Sequence, residues 1–259
     1  MSEKIINRIL LTNDDGIDAA GIVLLEKAAS QFANEVWIVA PAVDKSGVAN
    51  SISLREPLRI SKRGEHKYAV YGTPADCVAF AINQVMKDTP PDLILSGINS
   101  GSNLGFETLL SGTVGAAMTG MLLGVPSIAL SQYEQADKRV DWSCAENYII
   151  STLTQLLSLT WSKQVCLSVN FPNVAPDKVK GLKVTTQGIG NVKNINATKT
   201  TDPHGEDYYW IRIQDGELDK PDHSELAVVE QGYISVTPLT YERTCQNEYR
   251  RLTKLVMDN

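Results

Sequence analysis

Short apolar runs alternate with helical stripes through the first part of the chain, and turn-forming residues close most of the runs. Ile9-Leu10-Leu11-Thr12 predicts a buried strand that stops at Asn13-Asp14-Asp15-Gly16. Leu24, Leu25, Ala28, Ala29 and Phe32 then share one face of a helix. Residues 36–40 predict a second strand, closed by Pro41. Residues 55–71 alternate weakly around Arg63-Gly64-Glu65, which predicts a hairpin inserted into the α/β pattern. Thr73-Pro74-Ala75-Asp76 has an N-cap, a proline at the first helical position and an acid at the third, so a helix starts there. Ala75, Val78, Ala79, Ile82 and Met86 carry its apolar face. Residues 93–96, 127–130 and 165–169 predict three more strands, with helices over 112–123 and about 142–159 between them.

Short apolar strands alternating with helices require a mostly parallel sheet covered on both faces. The expected fold is α/β and Rossmann-like, one domain over 1–259, with its core in 1–175. From 176 to 259 the pattern changes to strand-like pieces at 182–186, 208–213 and 233–237. A last helix there carries Cys245, Tyr249, Leu252 and Val256 on one stripe. This β-hairpin and helix extension is expected to pair subunits.

Composition narrows the picture. With 43% hydrophobic residues, 259 residues can bury a real core. A net charge of −6 argues against a binder of nucleic-acid polymers, which show a basic excess. Cys77, Cys144, Cys166 and Cys245 are far apart and form no CxxC, so free, buried or semi-buried thiols in a reducing compartment are expected. No secretory h-region precedes Ile9, and a cytoplasmic location is expected. Residues 108–133 lack charge and contain Gly120-x-x-x-Gly124, but Pro126 and the glycines cut the stretch, so no membrane span is expected.

In a parallel α/β sheet, ligands bind beyond the carboxyl ends of the strands. There the chain places Asp14 and Asp15, then Ser46 and Gly47, then Asn99, Ser100, Gly101 and Asn103, and finally Ser111-Gly112-Thr113 at a helix start. None of these loops holds a histidine. Asn-Asp-Asp-Gly is a good turn in its own right, yet adjacent carboxylates repel unless a cation neutralises them. The oxygens of Asp14, Asp15, Ser46 and Asn99 are hard ligands suited to Mg²⁺, Mn²⁺ or Ca²⁺. Ser111-Gly112-Thr113 taken alone reads first as an ordinary helix cap, and beside a hard cation the reading as a phosphate cradle built on free N–H groups gains. Asn103 is a further candidate donor. GxxxxGK[ST], GxGxxG, HExxH and GxSxG are all absent. His66, His204 and His223 read as surface residues, with His204 able to face a substrate from the extension.

These motifs and their order resemble the SurE (survival protein E) 5′-nucleotidases. The resemblance is carried by Leu11-Thr12-Asn13-Asp14-Asp15-Gly16, Ser46-Gly47, Gly72-Thr73-Pro74-Ala75-Asp76-Cys77, Ser96-Gly97-Ile98-Asn99 with Asn103-Leu104-Gly105, Ser111-Gly112-Thr113-Val114 and Gly232-Tyr233-Ile234-Ser235-Val236-Thr237-Pro238-Leu239. It implies a cytoplasmic phosphomonoesterase acting on nucleoside 5′-monophosphates, and also on 3′-nucleotides and short polyphosphate. One divalent ion per subunit, Mg²⁺ or Mn²⁺, would sit on Asp14, Asp15, Ser46 and Asn99. Asp14, Asp15 and Asn99 would serve catalysis, while Asn103, Ser111, Gly112 and Thr113 would bind phosphate. A homodimer or homotetramer is implied, with the tail exchanged between subunits. The chain departs from the family at Ser224-Glu225, where Thr-Asp is usual, and at His204, where Arg is common. A metal- or nucleotide-binding protein without turnover is the alternative reading.

Overall fold

The structure is a computed structural model that describes residues 5–134, 140–216 and 220–257. Strand β1 (Ile6–Thr12) lies in the middle of the main sheet, where its residues alternate between two cores. Ile9 and Leu11 face helices α1 (Ala20–Phe32) and α4 (Ser143–Leu157), packing with Leu25, Ile149 and Leu153. Leu10 points the other way, toward Val78 and Cys77 of α2 (Pro74–Phe80) and Ala116 of α3 (Gly112–Leu122). Burial on both faces is why the strand reads as an unbroken apolar run.

The remaining strands are β2 (Ala33–Pro41), β3 (Arg59–Lys62), β4 (Lys67–Tyr71), β5 (Leu93–Ser100), β6 (Ser127–Gln132), β7 (Cys166–Phe171), β8 (Leu182–Val184), β9 (Val192–Thr201), β10 (Asp207–Asp215) and β11 (Ile234–Leu239). Nine form one sheet in the order β3-β4-β2-β1-β5-β6-β7-β11-β8. The pairs β2–β4, β1–β2, β1–β5, β5–β6, β6–β7 and β8–β11 are parallel, whereas β3–β4 and β7–β11 are antiparallel. The expected α/β fold, with its inserted hairpin and its extension, is present. Two strands of the extension, β8 and β11, continue the main sheet, and β9 and β10 make a separate antiparallel ribbon.

The chain runs outward from β1 through β2 to β4 and then returns to β5 on the other side of β1. Strand order therefore reverses at β1 and β5, and a crevice opens beyond their carboxyl ends.

Four features differ from expectation. The helix expected to reach Met86 stops at Phe80 and passes into a π-helical turn over Ala81–Val85, whose widened last bond runs from Met86 N to Ala81 O while Met86 is fully buried. Strand β9 gives no sequence signal because Val192, Ile195 and Ala197 are scattered among polar residues and form no apolar run. Helix α5 (Glu225–Glu230) is too short to show a period. Cys245 is exposed, just ahead of α6 (Gln246–Met257), while Cys77, Cys144 and Cys166 are buried and free. Among the described residues no helix is long and apolar enough to cross a membrane. Gly120 serves packing instead, since a Cβ there would lie 2.4 Å from Ser127 Oγ.

Candidate active site

Asp14 follows β1 and is 3% exposed. Its carboxylate meets the start of α3: Thr113 Oγ1 donates to Asp14 Oδ1, and the backbone N–H groups of Gly112 and Thr113 also favour its charged form. Gly112 permits this approach, because a Cβ there would stand 2.9 Å from Asp14 Cβ. Burial outweighs these bonds and raises the Asp14 pKa. Asp15 turns to the adjoining side, where its Oδ2 accepts from Ser100 N at 3.0 Å. Its pKa is pushed up to about 6, chiefly by burial, with like charges on Asp14, Asp44 and Glu134 adding to the effect. Among the described residues, no Lys, Arg or His forms an ion pair with either carboxylate.

Asn99 sits where β5 slips register against β6. Its Nδ2 donates to Gly101 O at 2.9 Å, and its Oδ1 lies 3.3 Å from Thr113 Oγ1. The amide oxygen is thus on the Asp14 side. Ser46 is exposed on the loop after β2, where Ser46 N donates to Asp44 Oδ1. That loop is tied down by Lys45 N donating to Asp14 O at 2.8 Å and Ala49 N donating to Leu110 O at 2.9 Å. Ser111 caps α3, its Oγ accepting from Val114 N at 3.0 Å, which leaves the hydroxyl proton for a ligand. Asn103 is held at both ends of its peptide by the Asn170 side chain, and its Nδ2 donates to Ser131 Oγ at 2.7 Å.

A cleft of about 310 Å³ is lined by Asp14, Ser46, Asn99, Asn103 and Ser111. Asp15 lines a neighbouring cavity that shares Ser100 and Glu134 with the first. Gly112 and Thr113 face Asp14 instead of lining the cleft. Glu107, Tyr133, Glu134, Asn191 and Ile213 also line it, none of which the sequence singles out. His204 is exposed in the β9–β10 turn, and His66 is half-buried, stacked 4.0 Å from the Trp37 ring.

Among the described residues no three His, Cys, Asp or Glu side chains converge on one point. The donor set is two carboxylates, an amide oxygen and a hydroxyl. Mg²⁺ and Mn²⁺ are commonly held in this way, by one or two carboxylates with water completing the shell. Two carboxylates, one buried and one half-buried, without a cationic partner among the described residues fit such an ion.

The family profile described as Survival protein SurE matches residues 9–194. The chain belongs to the SurE family. A 5′-nucleotidase SurE 1 of Burkholderia lata is 48% identical over 251 residues, 97% of each chain. A 5′-nucleotidase SurE of Hyphomonas neptunium is 43% identical, covering 92% of this chain and 94% of that one. The crystal structure of the SurE protein from Aquifex aeolicus matches with a TM-score of 0.80 at 35% identity, covering 96% of this chain and 99% of that one. The Asn-Asp-Asp-Gly turn, the Asn99 loop and the Ser111 cap of this SurE chain all lie inside the matched span.

Proposed function

We propose that this SurE chain is a metal-dependent phosphomonoesterase that hydrolyses nucleoside 5′-monophosphates to nucleoside and phosphate. The observation that carries this reading is the buried Asp14 carboxylate, without a cationic partner among the described residues, beside Asp15 and Asn99 at the point where strand order reverses. The 5′-nucleotidase names of relatives 41–48% identical to the chain support the substrate class.

Asp14, Asp15, Asn99 and Ser46 would hold one Mg²⁺ or Mn²⁺. Bound there, such an ion would supply Lewis-acid charge to the reaction. The Ser111 hydroxyl and the remaining N–H of the Asn103 amide would donate to the phosphoryl oxygens as charge spreads over them. Gly112 and Thr113 would work one step back, fixing Asp14 through the α3 N-terminus. Water attacks phosphorus, the bond to the ester oxygen breaks, and the nucleoside leaves with a proton. 3′-Nucleotides and short polyphosphate present the same terminal phosphoryl group and belong to the proposed range. A cytoplasmic homodimer or homotetramer, built through the 176–259 extension, completes the proposal.

Calorimetric titration of Mn²⁺ into chelator-treated protein tests the metal set without relying on turnover. About one ion per chain, with at least tenfold weaker binding in Asp14→Asn, is the expected result. Saturable binding unaffected by Asp14→Asn and Asp15→Asn would remove these residues from the site.

A further inference from the structure

Glu225 is 2% exposed and lies outside the site described so far. Its two oxygens each take one backbone N–H: Oε1 from Gly105 and Oε2 from Gly188, both at 2.6 Å. One carboxylate therefore bridges two loops that are distant in sequence. The joint is reinforced by Phe106 N donating to Ile189 O at 3.0 Å and by Gln187 Nε2 donating to Gly105 O and Thr108 Oγ1. Beyond it stands Asn191, on the cleft wall, its own carbonyl accepting from Gly216 N at 2.8 Å. The Asn191 Oδ1 is buried and has no hydrogen-bond partner among the described residues.

A buried acceptor left unpaired is costly unless something arrives to satisfy it. An amide oxygen repels phosphate oxygens, which at neutral pH offer few protons. It suits the other half of a nucleotide, where sugar hydroxyls and base amines are donors. We propose that Glu225 is a positioning residue, locking loop 187–191 onto the Gly105 turn so that Asn191 accepts a hydrogen bond from the nucleoside half of the substrate. This rests on the nucleotidase reading above and adds a specificity determinant to it.

The test compares kcat and KM for 5′-AMP, 2′,3′-dideoxy-AMP, 5′-IMP and p-nitrophenyl phosphate in the wild type, Asn191→Ala, Glu225→Gln and the double variant, all with metal. Glutamine replaces one acceptor with an NH₂ that faces a backbone N–H. The expected result is a rise of about tenfold in KM for 5′-AMP in each single variant, p-nitrophenyl phosphate kinetics within about twofold, and a double variant no worse than Asn191→Ala. If the sugar is the donor, dideoxy-AMP loses the Asn191 effect; if the base amine is, IMP loses it. Should Glu225→Gln fail to fold, Asn191→Ala carries the same test, and Glu225→Asp, which keeps both acceptors, serves as the control whose KM for 5′-AMP should stay near the wild-type value. Parallel losses on nucleotide and p-nitrophenyl phosphate, unchanged kinetics, or additive losses in the double variant would overturn the proposal. A folded wild type that cleaves none of the substrates would instead overturn the nucleotidase reading.

Discussion

Although Asp14 and Asp15 are adjacent, their carboxylates reach different partners, Asp14 the start of α3 and Asp15 the Ser100 amide. Burial raises both pKa values, so the charged forms work against the metal-free fold. The Asp15 carboxyl titrates near 6 when folded and near the ordinary 3.8 when unfolded. Below both values it is protonated in each state and costs nothing. As pH rises through that window the unfolded chain releases its proton first, and stability falls until the cost is complete above about 6. In EDTA, Asp15→Asn should therefore melt roughly 2–4 °C above wild type at pH 7.5, and scanning calorimetry should find the gap closing toward pH 4. With metal and substrate present, Asp14→Asn or Asp15→Asn should lower kcat by about 100-fold or more, measured as phosphate release. Near-normal turnover would contradict the ligand assignment. Asp14, Ser46, Asn99 and Ser111, which the structure brings to one cleft, were singled out in the sequence because each lies at or beyond the end of a strand or heads a helix, where side chains of that type need an explanation. Asn191 was not, because its position depends on Glu225 reaching across from a distant helix.

At the scale of elements, the first turn of α3 combines two tasks that substitution can separate. Ser111→Ala removes an N-cap, and a loss of about 1 kcal/mol is expected, visible as a lower melting temperature. Thr113→Val keeps the side-chain shape and deletes the donor to Asp14. Its expected result is a 10–100-fold drop in kcat/KM with a melting temperature close to wild type. Equal thermal losses in both variants would make Thr113 a packing residue only. The apolar runs revealed β1, β2, β5, β6 and β7, since strands buried on both faces leave a continuous hydrophobic signature. Strand β9 was silent for the opposite reason: Lys193, Asn194, Lys199 and Thr200 all face solvent, and pairing with β10 is its visible support. The π turn over Ala81–Val85 was hidden because one extra residue in a turn hardly disturbs an apolar stripe.

For the whole molecule, sequence pattern established an α/β sheet, but strand order came only from the structure, because the path from β4 back to β5 leaves no local trace. That order matters for function, since it brings the loops after β1 and β5 to one crevice. The single chain also leaves apolar surface uncovered. Tyr249, Leu252 and Val256 on α6 are exposed, as are Tyr208, Tyr209, Trp210 and Ile211 on β10. Leu252→Glu should shift light-scattering mass from the proposed dimer or tetramer toward the monomer, and a wild type that is itself monomeric would contradict the subunit-pairing role. The central claim is tested most directly by phosphate release from a panel of nucleoside monophosphates, first in EDTA and then with Mg²⁺ or Mn²⁺ restored. The expected result is silence in EDTA and recovered hydrolysis of 5′-nucleotides with metal. Full activity in EDTA, or none with any metal from a folded protein, would contradict the account.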